Sequence, residues 1–540
     1  MCGITYLQRA DRQTAESAVD AIRHRGPDSY KVLGDETGYV GAARLAIVDV
    51  ANGEQPMTTA EGFIGALNGE VYNHRELRKE LETRGRIFHT DCDTEVVVNA
   101  VAEWGNRAAE KFDGQFAYVV KDPRGKVYSA RDHFGVSPLF FGKGTNGLTI
   151  SSEVPALLKD GVAGQEVRRL PQGCALEFDP TQDNPTLKRY YDVMKHIGHE
   201  EADPERLYSL LENAVAKRVP EEVPHATILS GIDSSTVAYF ADKQKKKPKM
   251  TYTVATEPDS MDVQSARALS RQLGIENRVL MIDEDFVRKN IREAVRIMAT
   301  PIYFSLINSI PALRLAREVQ KDGIKVVLNG SGSDEANIGY DYLWEIFNQK
   351  YLEENALNLM GTIGDNECYR DDKVFASQGL EVRPPFLDRT LVEYALSTPI
   401  EDRVPELSRT KSKWQLRQAM RGKLPDLIVN RPKDNLYRST GMMPLVDRVA
   451  DEMMSDQEYE KYMTSLGGTG WEKQILGGKA GALFHKIWGE EFPELARIPL
   501  QTISCGNREA PNFDDLEMLS RYWVPAPGGI NLKGWRGNIK

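Results

Sequence analysis

The second residue of the chain carries a group that could act as a nucleophile. The sequence starts MCGITYLQ, and a small residue in the second position leads us to expect removal of Met1. Cys2 would then carry both a thiol and a free α-amine, whose usual pKa of about 7.7–8.0 suits a base at neutral pH. Nucleophile and base could therefore come from one residue. The alternative is that Cys2 is only a small buried side chain.

Four segments downstream hold polar residues of types that bind substrates. They read R-H-R-G-P-D-S, A-R-L-A-I-V-D-V, L-N-G-E-V-Y-N-H and T-D-C-D-T-E-V, at residues 23–29, 43–50, 67–74 and 90–96. By itself, the dipeptide Asn68-Gly69 is a strong signal for a hairpin turn, so a turn is the alternative interpretation there.

Together with Cys2, these segments resemble the glutaminase domain of class II glutamine amidotransferases, which are N-terminal nucleophile hydrolases. The resemblance implies that Cys2 attacks the side-chain amide of glutamine, and that Asn68 and Gly69 donate hydrogen bonds to the oxyanion. The residues that it implies for glutamine binding are Arg44, Asn68, Glu70 and Asp93. Of these, the arginine would pair with the α-carboxylate as a planar fork, and the two acids would receive the α-ammonium group.

Two loops in the second half could bind a nucleotide. The strings S-G-I-D-S-S (230–235) and N-G-S-G-S-D-E (329–335) each follow an apolar strand and open a helix. Backbone N–H groups converge on anions at such junctions, and crevices at the carboxyl ends of parallel strands bind nucleotides. Asp233 and Asp334 would then hold Mg²⁺ on a triphosphate. For the first string, an ordinary helix cap formed by Asp233 and Ser234 is the alternative.

These loops resemble the ATP-pyrophosphatase (PP-loop) domain of glutamine-hydrolysing asparagine synthetases, as do S-Q-G-L-E-V-R-P-P-F-L-D (377–388) and R-P-K-D-N (431–435). The resemblance implies that ATP adenylates a carboxylate with release of pyrophosphate, and that ammonia from the glutaminase site then attacks. The implied ATP-binding residues are Leu229, Ser230, Gly231, Asp233, Ser234, Ser235, Val254, Gly330 and Lys433. For Lys433, a plain surface lysine is the alternative.

Two departures from the family pattern bear on the acceptor. The loop S-G-I-D-S is one glycine shorter than the usual Ser-Gly-Gly-x-Asp-Ser, and Ser331 stands where the family has a glutamate. A neutral hydroxyl cannot replace a carboxylate as a base. Aspartate is the default acceptor. The alternatives are a synthetase acting on another acid, and a glutaminase or nucleotide-binding protein with an impaired synthetase site.

The hydrophobic pattern predicts the elements that position these groups. In the first half, short β-type runs alternate with amphipathic helices, and the resemblance implies an N-terminal nucleophile hydrolase sandwich (αββα). After a polar stretch, apolar strands alternate with helices, which predicts a PP-loop α/β domain with a parallel sheet. The expected class is thus α/β and α+β, with a glutaminase domain at 1–192, a synthetase domain at 204–495 and a C-terminal extension at 496–540.

Composition excludes several classes of protein. The 540 residues include 69 Lys plus Arg and 79 Asp plus Glu, a formal net charge of −10, which argues against a nucleic-acid binder. No apolar run approaches the ~20 residues that span a bilayer, and five scattered cysteines suit neither a disulfide framework nor a zinc site. We therefore expect a cytoplasmic protein that binds neither nucleic acid nor membrane. The resemblance implies that its partners are glutamine, ATP and a carboxylic acid, with aspartate as the default. The oligomeric state is open, a homodimer being one option.

Overall fold

The computed structural model of the protein describes residues 1–182, 184–340, 349–405, 412–432, 440–466 and 478–493. The strands of the first half are β1 (Gly3–Gln8), β2 (Ser29–Asp35), β3 (Gly38–Arg44), β4 (Met57–Thr58), β5 (Ile64–Val71), β6 (Gly114–Lys121), β7 (Val127–Arg131), β8 (Phe140–Lys143), β9 (Leu148–Ser151), β10 (Arg168–Arg169), β11 (Cys174–Phe178) and β12 (Thr186–Arg189). They form two antiparallel sheets, in the orders β10-β8-β9-β1-β3-β2 and β12-β11-β7-β6-β5-β4.

The two sheets stack face to face around a hydrophobic core that includes Ile4 of β1 and Val119 of β6. The helix Arg12–Asp20 covers the outer face of the first sheet, and the helices His74–Thr83 and Asp93–Trp104 cover that of the second. Each sheet is therefore covered on both faces, which explains why all six residues of β1 are buried. This arrangement confirms the predicted αββα sandwich.

The helices of the first half show why the sequence folds this way locally. In the helix His74–Thr83, Leu77 and Leu81 lie one turn apart and are its buried residues. The other side of this helix is charged, as expected for an amphipathic helix on a sheet. The remaining α-helices and 3₁₀ turns before residue 200 are Ala108–Lys111, Val154–Lys159, Arg23–Arg25, Gly105–Arg107, Gly164–Glu166 and Val193–Lys195.

A five-stranded parallel sheet forms the centre of the second half. Its strands are β13 (His225–Ile228), β14 (Met250–Ala255), β15 (Asn277–Met281), β16 (Val326–Leu328) and β17 (Glu381–Arg383), in the order β15-β14-β13-β16-β17. The first four coincide with the predicted apolar runs HATILS, MTYTVAT, NRVLMI and IKVVLNG, each of which precedes a helical segment. The fifth was not predicted, because three residues are too few to give a periodic pattern.

Helices pack on both faces of this sheet, as predicted for βα units. In chain order they are Pro204–Arg218, Ile232–Asp242, Met261–Leu273, Glu284–Met298, Tyr303–Lys321, Ser333–Ala336, Gln349–Met360, Glu367–Ala376, Arg389–Ser397, Ile400–Arg403, Trp414–Met420, Asp426–Val429, Met442–Met453, Asp456–Ser465 and Lys479–Glu491, with 3₁₀ turns at Ile363–Asp365 and Pro385–Leu387. None of the helices described is long and apolar enough to cross a membrane. The predicted C-terminal extension, 496–540, lies outside the described residues.

The strand order places a switch point between β13 and β16. The chain proceeds from β13 to β14 and β15 on one side, and returns to add β16 and β17 on the other. At such a point the loops that follow the two central strands diverge and leave a crevice. The loops after β13 and β16 are the two strings that the sequence singled out.

The edge strand β17 faces the first half of the chain. The carbonyl of Leu380, just before β17, accepts a hydrogen bond from the Met1 amine at 3.0 Å. The carbonyl of Val382 accepts one from Nε2 of Gln115 at 3.0 Å. The glutaminase-like sandwich and the parallel sheet are thus joined directly beside the N-terminus.

Candidate active sites

Cys2 lies immediately before β1, where the antiparallel ladder pairs Gly3 with Ala43. This register brings Cys2 beside the end of β3, and the Leu45 amide donates to its Sγ at 3.4 Å. Burial raises the pKa of the thiol to about 11, so the thiol is protonated at neutral pH and requires a base. The Met1 amine is engaged by Leu380. The base function expected of the Cys2 amine therefore depends on removal of Met1.

Gln55 links Cys2 to the strand that carries Asn68. Its Nε2 donates to Sγ of Cys2 at 3.8 Å, and its Oε1 accepts from the Leu67 amide at 2.8 Å. No feature of the sequence pointed to Gln55, because a single glutamine carries no chemical signature. Only the fold brings residues 2, 55 and 67 together.

Asn68 and Gly69 lie in the middle of β5, opposite Ala117 and Phe116 of β6. The hairpin turn considered above is therefore wrong. Asn68 is fully buried, and neither its Nδ2 nor its Oδ1 has a hydrogen-bond partner within the described structure. Gly69 has φ +107°, and a Cβ there would lie 2.0 Å from the Gln115 carbonyl oxygen. A buried, unpaired amide beside an obligatory glycine is what an oxyanion site requires.

Arg44 ends β3 and is held by the backbone that follows it. Its Nη2 donates to the carbonyl of Asp49 at 2.8 Å, and its Nη1 donates to that of Val50 at 3.2 Å. The side chain is buried. These contacts fix the plane of a guanidinium at the edge of the sandwich that carries Cys2.

The carboxylates of Glu70 and Asp93 are both buried. Asp93 accepts a hydrogen bond from the Val71 amide at 3.0 Å, and burial raises the pKa of its carboxyl group. Burial also raises the pKa of Glu70 well above its usual range, although Arg383 of β17 opposes this with an ion pair at 2.8 Å. The sequence did not predict that ion pair, which gives Glu70 a partner from the other half of the chain.

Arg25 connects Cys2 to the helix Glu367–Ala376. The guanidinium is fully buried, and its Nε donates to the Cys2 carbonyl at 2.9 Å. Its Nη atoms bind Glu153 at 2.8 Å and Asp372 at 2.7 and 2.8 Å. One side chain therefore contacts Cys2, Glu153 and the second half of the protein.

The two loops at the switch point are in direct contact. Ser333 Oγ donates to Oδ1 of Asp233 at 2.6 Å. A Cβ at Gly330 would lie 2.8 Å from Cβ of Asp233 and 2.9 Å from the Ser234 nitrogen, so this close approach requires glycine. Gly330 is thus placed against the first loop, as the nucleotide-site prediction needs.

A lysine that the sequence did not single out lies between the predicted metal ligands. Nζ of Lys413 is 2.5 Å from Asp233 and 2.7 Å from Asp334, and its side chain is fully buried. The two carboxylates therefore approach the same cation. This geometry brings Asp233 and Asp334 together as predicted, with an ammonium group between them.

The first loop has the form of an open helix N-terminus. Gly231 is the N-cap of the helix Ile232–Asp242, and no side chain of the described residues caps it, so the cap by Asp233 and Ser234 considered above is wrong. In the part of the chain that the structure describes, no atom lies within 4 Å of a Cβ built at Gly231. Ser234 Oγ accepts from the Ser230 amide at 2.9 Å, and Ser235 Oγ is buried without a partner in the part of the chain described.

Three further predicted nucleotide residues have different outcomes. Leu229 directly follows β13, and Val254 lies near the end of the neighbouring strand β14. Both side chains are buried in hydrophobic clusters, with exposures of 1% and 4%. Lys433 lies outside the described residues.

Comparison with known proteins gives the family. The glutamine amidotransferase domain family matches residues 1–194, and the asparagine synthase family matches residues 206–357 and 345–466. Asparagine synthetase [glutamine-hydrolyzing] 3 of Arabidopsis thaliana is 30% identical over 419 residues, 74% of this chain and 71% of that relative. The chain belongs to the glutamine-hydrolysing asparagine synthetase family.

Other relatives agree with this membership. Asparagine synthetase B [glutamine-hydrolyzing] of Escherichia coli (strain K12) is 29% identical over 397 residues, covering 69% of this chain and 70% of that protein. Among solved structures, glutamine phosphoribosylpyrophosphate amidotransferase from B. subtilis covers 52% of this chain and 81% of its own at 16% identity, with a TM-score of 0.30. That likeness is too weak to bear on the fold, which the strand orders establish by themselves. The family resemblance predicted from the sequence motifs is confirmed.

Proposed function

We propose that the protein is a glutamine-dependent amide synthetase that hydrolyses glutamine to ammonia and uses ATP, cleaved to AMP and pyrophosphate, to amidate a carboxylate. Aspartate is the default acceptor. The observation that carries the proposal is the coexistence of two distinct sites on one chain, with Arg25 in contact with Cys2 and with the helix Glu367–Ala376 of the synthetase half. The family matches support the proposal, because the glutamine amidotransferase domain comes first along the chain and the asparagine synthase domain follows it.

In the glutaminase step, Cys2 attacks the side-chain amide of glutamine. The Cys2 amine, once Met1 is removed, takes the proton that the thiol must lose, because burial keeps the thiol protonated at neutral pH. The amide of Asn68 and the N–H of Gly69 stabilise the oxyanion. This role is supported by the buried Asn68 amide, which has no competing partner among the described residues.

Glutamine is held through its charged end. The fixed guanidinium of Arg44 pairs with the α-carboxylate, and the buried carboxylates of Glu70 and Asp93 receive the α-ammonium. In this proposal the Glu70 carboxylate contacts both the substrate ammonium group and Arg383. The ion pair between Glu70 and Arg383 links the glutamine site to β17.

In the synthetase step, the open helix N-terminus at Gly231 receives the phosphates of ATP, with the loop serines Ser230, Ser234 and Ser235 as further hydrogen-bond partners. Lys413 is a further cation near the phosphates, in addition to Lys433, which the resemblance implied as an ATP-binding residue. Leu229 and Val254 contribute to the apolar surroundings of the adenine from their buried positions, and Gly330 lies beside the ribose.

The donors at the switch point suit Mg²⁺. This ion binds proteins through one or two carboxylates together with substrate phosphates, and Asp233 and Asp334 both reach the position of the Lys413 ammonium. The metal would supply charge neutralisation for the phosphates. A cytoplasmic location and homodimeric assembly stay expectations from the sequence.

Replacement of Cys2 tests the division of labour. Cys2→Ala should abolish glutamine-dependent amide formation and leave synthesis from ammonium chloride within a factor of about two, because only the nucleophile is lost. The assay measures AMP and amide product with each nitrogen source, and ATP–pyrophosphate exchange across a panel of amino acids with aspartate first. Equal loss with both nitrogen sources would contradict two separate sites. Exchange with no acid in the wild-type protein would contradict the synthetase half of the proposal.

A further inference from the structure

Ser331, in the loop after β16, is bonded to a carboxylate from another element. Oγ of Ser331 donates to Oδ2 of Asp371 at 2.6 Å. Oγ of Ser331 also accepts a hydrogen bond from Nδ2 of Asn329 at 3.0 Å. Nδ2 of Asn329 also donates to Oδ2 of Asp371, at 2.7 Å. The hydroxyl proton of Ser331 is therefore directed at Asp371.

Asp371 is itself held in place from its other side. Its Oδ1 accepts from Nε and Nη2 of Arg370 at 3.1 and 2.8 Å, and Arg370 also pairs with Glu367 at 2.5 Å. Asp371 is 7% exposed, whereas Ser331 is only half-buried. A fixed, buried carboxylate thus holds a hydroxyl that remains accessible at the nucleotide loop. Such a hydroxyl–carboxylate pair can accept and pass on a proton.

Asp371 also lies on the helix that reaches the glutaminase site. Asp371 and Asp372 are neighbours in the helix Glu367–Ala376, and Asp372 binds Arg25, which binds the Cys2 carbonyl. Lys373, the next residue, pairs with Glu153 at the same contact. This helix therefore contacts both the surroundings of Cys2 and, through Asp371, the loop after β16.

We propose that Ser331 and Asp371 together accept the proton released in amide formation, so that the carboxylate absent from loop position 331 is supplied by the helix Glu367–Ala376. The lone pair of ammonia attacks the carbonyl carbon of the acyl-adenylate and forms the C–N bond. One N–H proton passes to Oγ of Ser331 as the Ser331 proton passes to Asp371. Collapse of the intermediate re-forms the carbonyl and breaks the C–O bond to AMP, which leaves with the electron pair. Asp371 is a positioning residue that acts through Ser331.

This inference rests on the proposed function and concerns its second chemical step. Asp371→Asn keeps the shape of the side chain and an oxygen for Ser331, but removes the ability to take up a proton. We expect ATP–pyrophosphate exchange with aspartate to stay within threefold of the wild-type rate. Amide formation from ammonium chloride should fall by about 100-fold or more, the usual scale of general-base catalysis.

Two more variants separate a proton relay from a structural role. Asp371→Glu restores a carboxylate and should recover amide formation to within about tenfold of wild type. Ser331→Ala removes the hydroxyl with little change in volume, and the double variant with Asp371→Asn should be no slower than the slower single variant, because the pair acts as a unit. The matched control is Asp285→Asn, the same change at a carboxylate that is 61% exposed on another helix.

The possible results differ in meaning. Amide formation within threefold of wild type in Asp371→Asn, an equal fall in exchange and amide formation, or no recovery in Asp371→Glu would each overturn the relay. If Asp371→Asn does not fold, as judged by thermal unfolding, Ser331→Ala decides by the same two rates. Absence of exchange with every acid of the panel in the wild-type protein would overturn the proposed function, and the relay with it.

Discussion

The unpaired amide of Asn68 gives a prediction in which activity and stability move independently. In Asn68→Ala the glutaminase transition state loses one oxyanion donor, a loss of about 2.7–4 kcal/mol, so kcat for glutamine hydrolysis should fall by about 10²–10³-fold. Synthesis from ammonium chloride should be unaffected, because Asn68 lies in the sandwich and not in the parallel sheet.

The stability of the same variant follows from the geometry of the amide. Nδ2 and Oδ1 of Asn68 are both buried without a partner in the described structure. An unsatisfied buried polar group costs about 1–3 kcal/mol, and truncation to alanine removes that cost while it loses some packing. The free energy of unfolding should therefore stay equal to that of the wild type or increase. Thermal unfolding followed by circular dichroism measures this change, and release of glutamate measures the activity.

Asn99 provides a matched control in the same domain. It is also buried, but its Nδ2 donates to the Glu95 carbonyl at 3.0 Å on the helix Asp93–Trp104. Asn99→Ala should lower the free energy of unfolding by about 1 kcal/mol and leave kcat unchanged. Glutaminase activity within threefold of wild type in Asn68→Ala would refute the oxyanion assignment. Destabilisation greater than that of Asn99→Ala would show that the Asn68 amide is paired.

Three further predictions concern the second half of the chain. Asp233→Asn should stop aspartate-dependent ATP–pyrophosphate exchange and spare glutamine hydrolysis, and unchanged exchange would remove Asp233 from the ATP site. Lys413→Met removes the ammonium group between Asp233 and Asp334, so these carboxylates repel each other and the midpoint of thermal unfolding should fall. Magnesium chloride should raise this midpoint more in the variant than in the wild type. An equal response of the two proteins would argue against a metal between these carboxylates. Burial lowers the pKa of His225 to about 4 from an unfolded value of about 6.5, so between these values the unfolded chain binds a proton that the folded chain does not. Between these two pH values the free energy of unfolding should fall as the pH decreases, by up to about 1.4 kcal/mol per pH unit. In His225→Phe the urea midpoint should fall less steeply with decreasing pH than in the wild type. Identical pH dependence of the urea midpoint in the two proteins would contradict a neutral buried histidine.

The sequence predicted the fold class and both groups of motifs because these features are local. Strand–loop–helix patterns and runs of apolar residues appear within windows of 10 to 20 residues, as do the glycine and acid spacings at 230–235 and 329–335. The same locality explains the failures. Asn68-Gly69 has the composition of a turn, but pairing with β6 places it inside a strand. The strand β17 is too short to have a period of its own and forms because β16 offers it a partner.

The tertiary structure alone decided which charged groups meet. Arg25 binds Asp372, Glu70 binds Arg383, Lys413 lies between Asp233 and Asp334, and Ser331 donates to Asp371. A buried charge requires a partner. The sequence shows neither that Arg25 and Lys413 are buried nor which acids they meet, because Asp372 is 347 positions from Arg25 and Asp233 is 180 positions from Lys413. The packing of β17 and the helix Glu367–Ala376 against the sandwich makes that choice. The motifs were thus determined by the sequence, and the connection between the two sites by the fold.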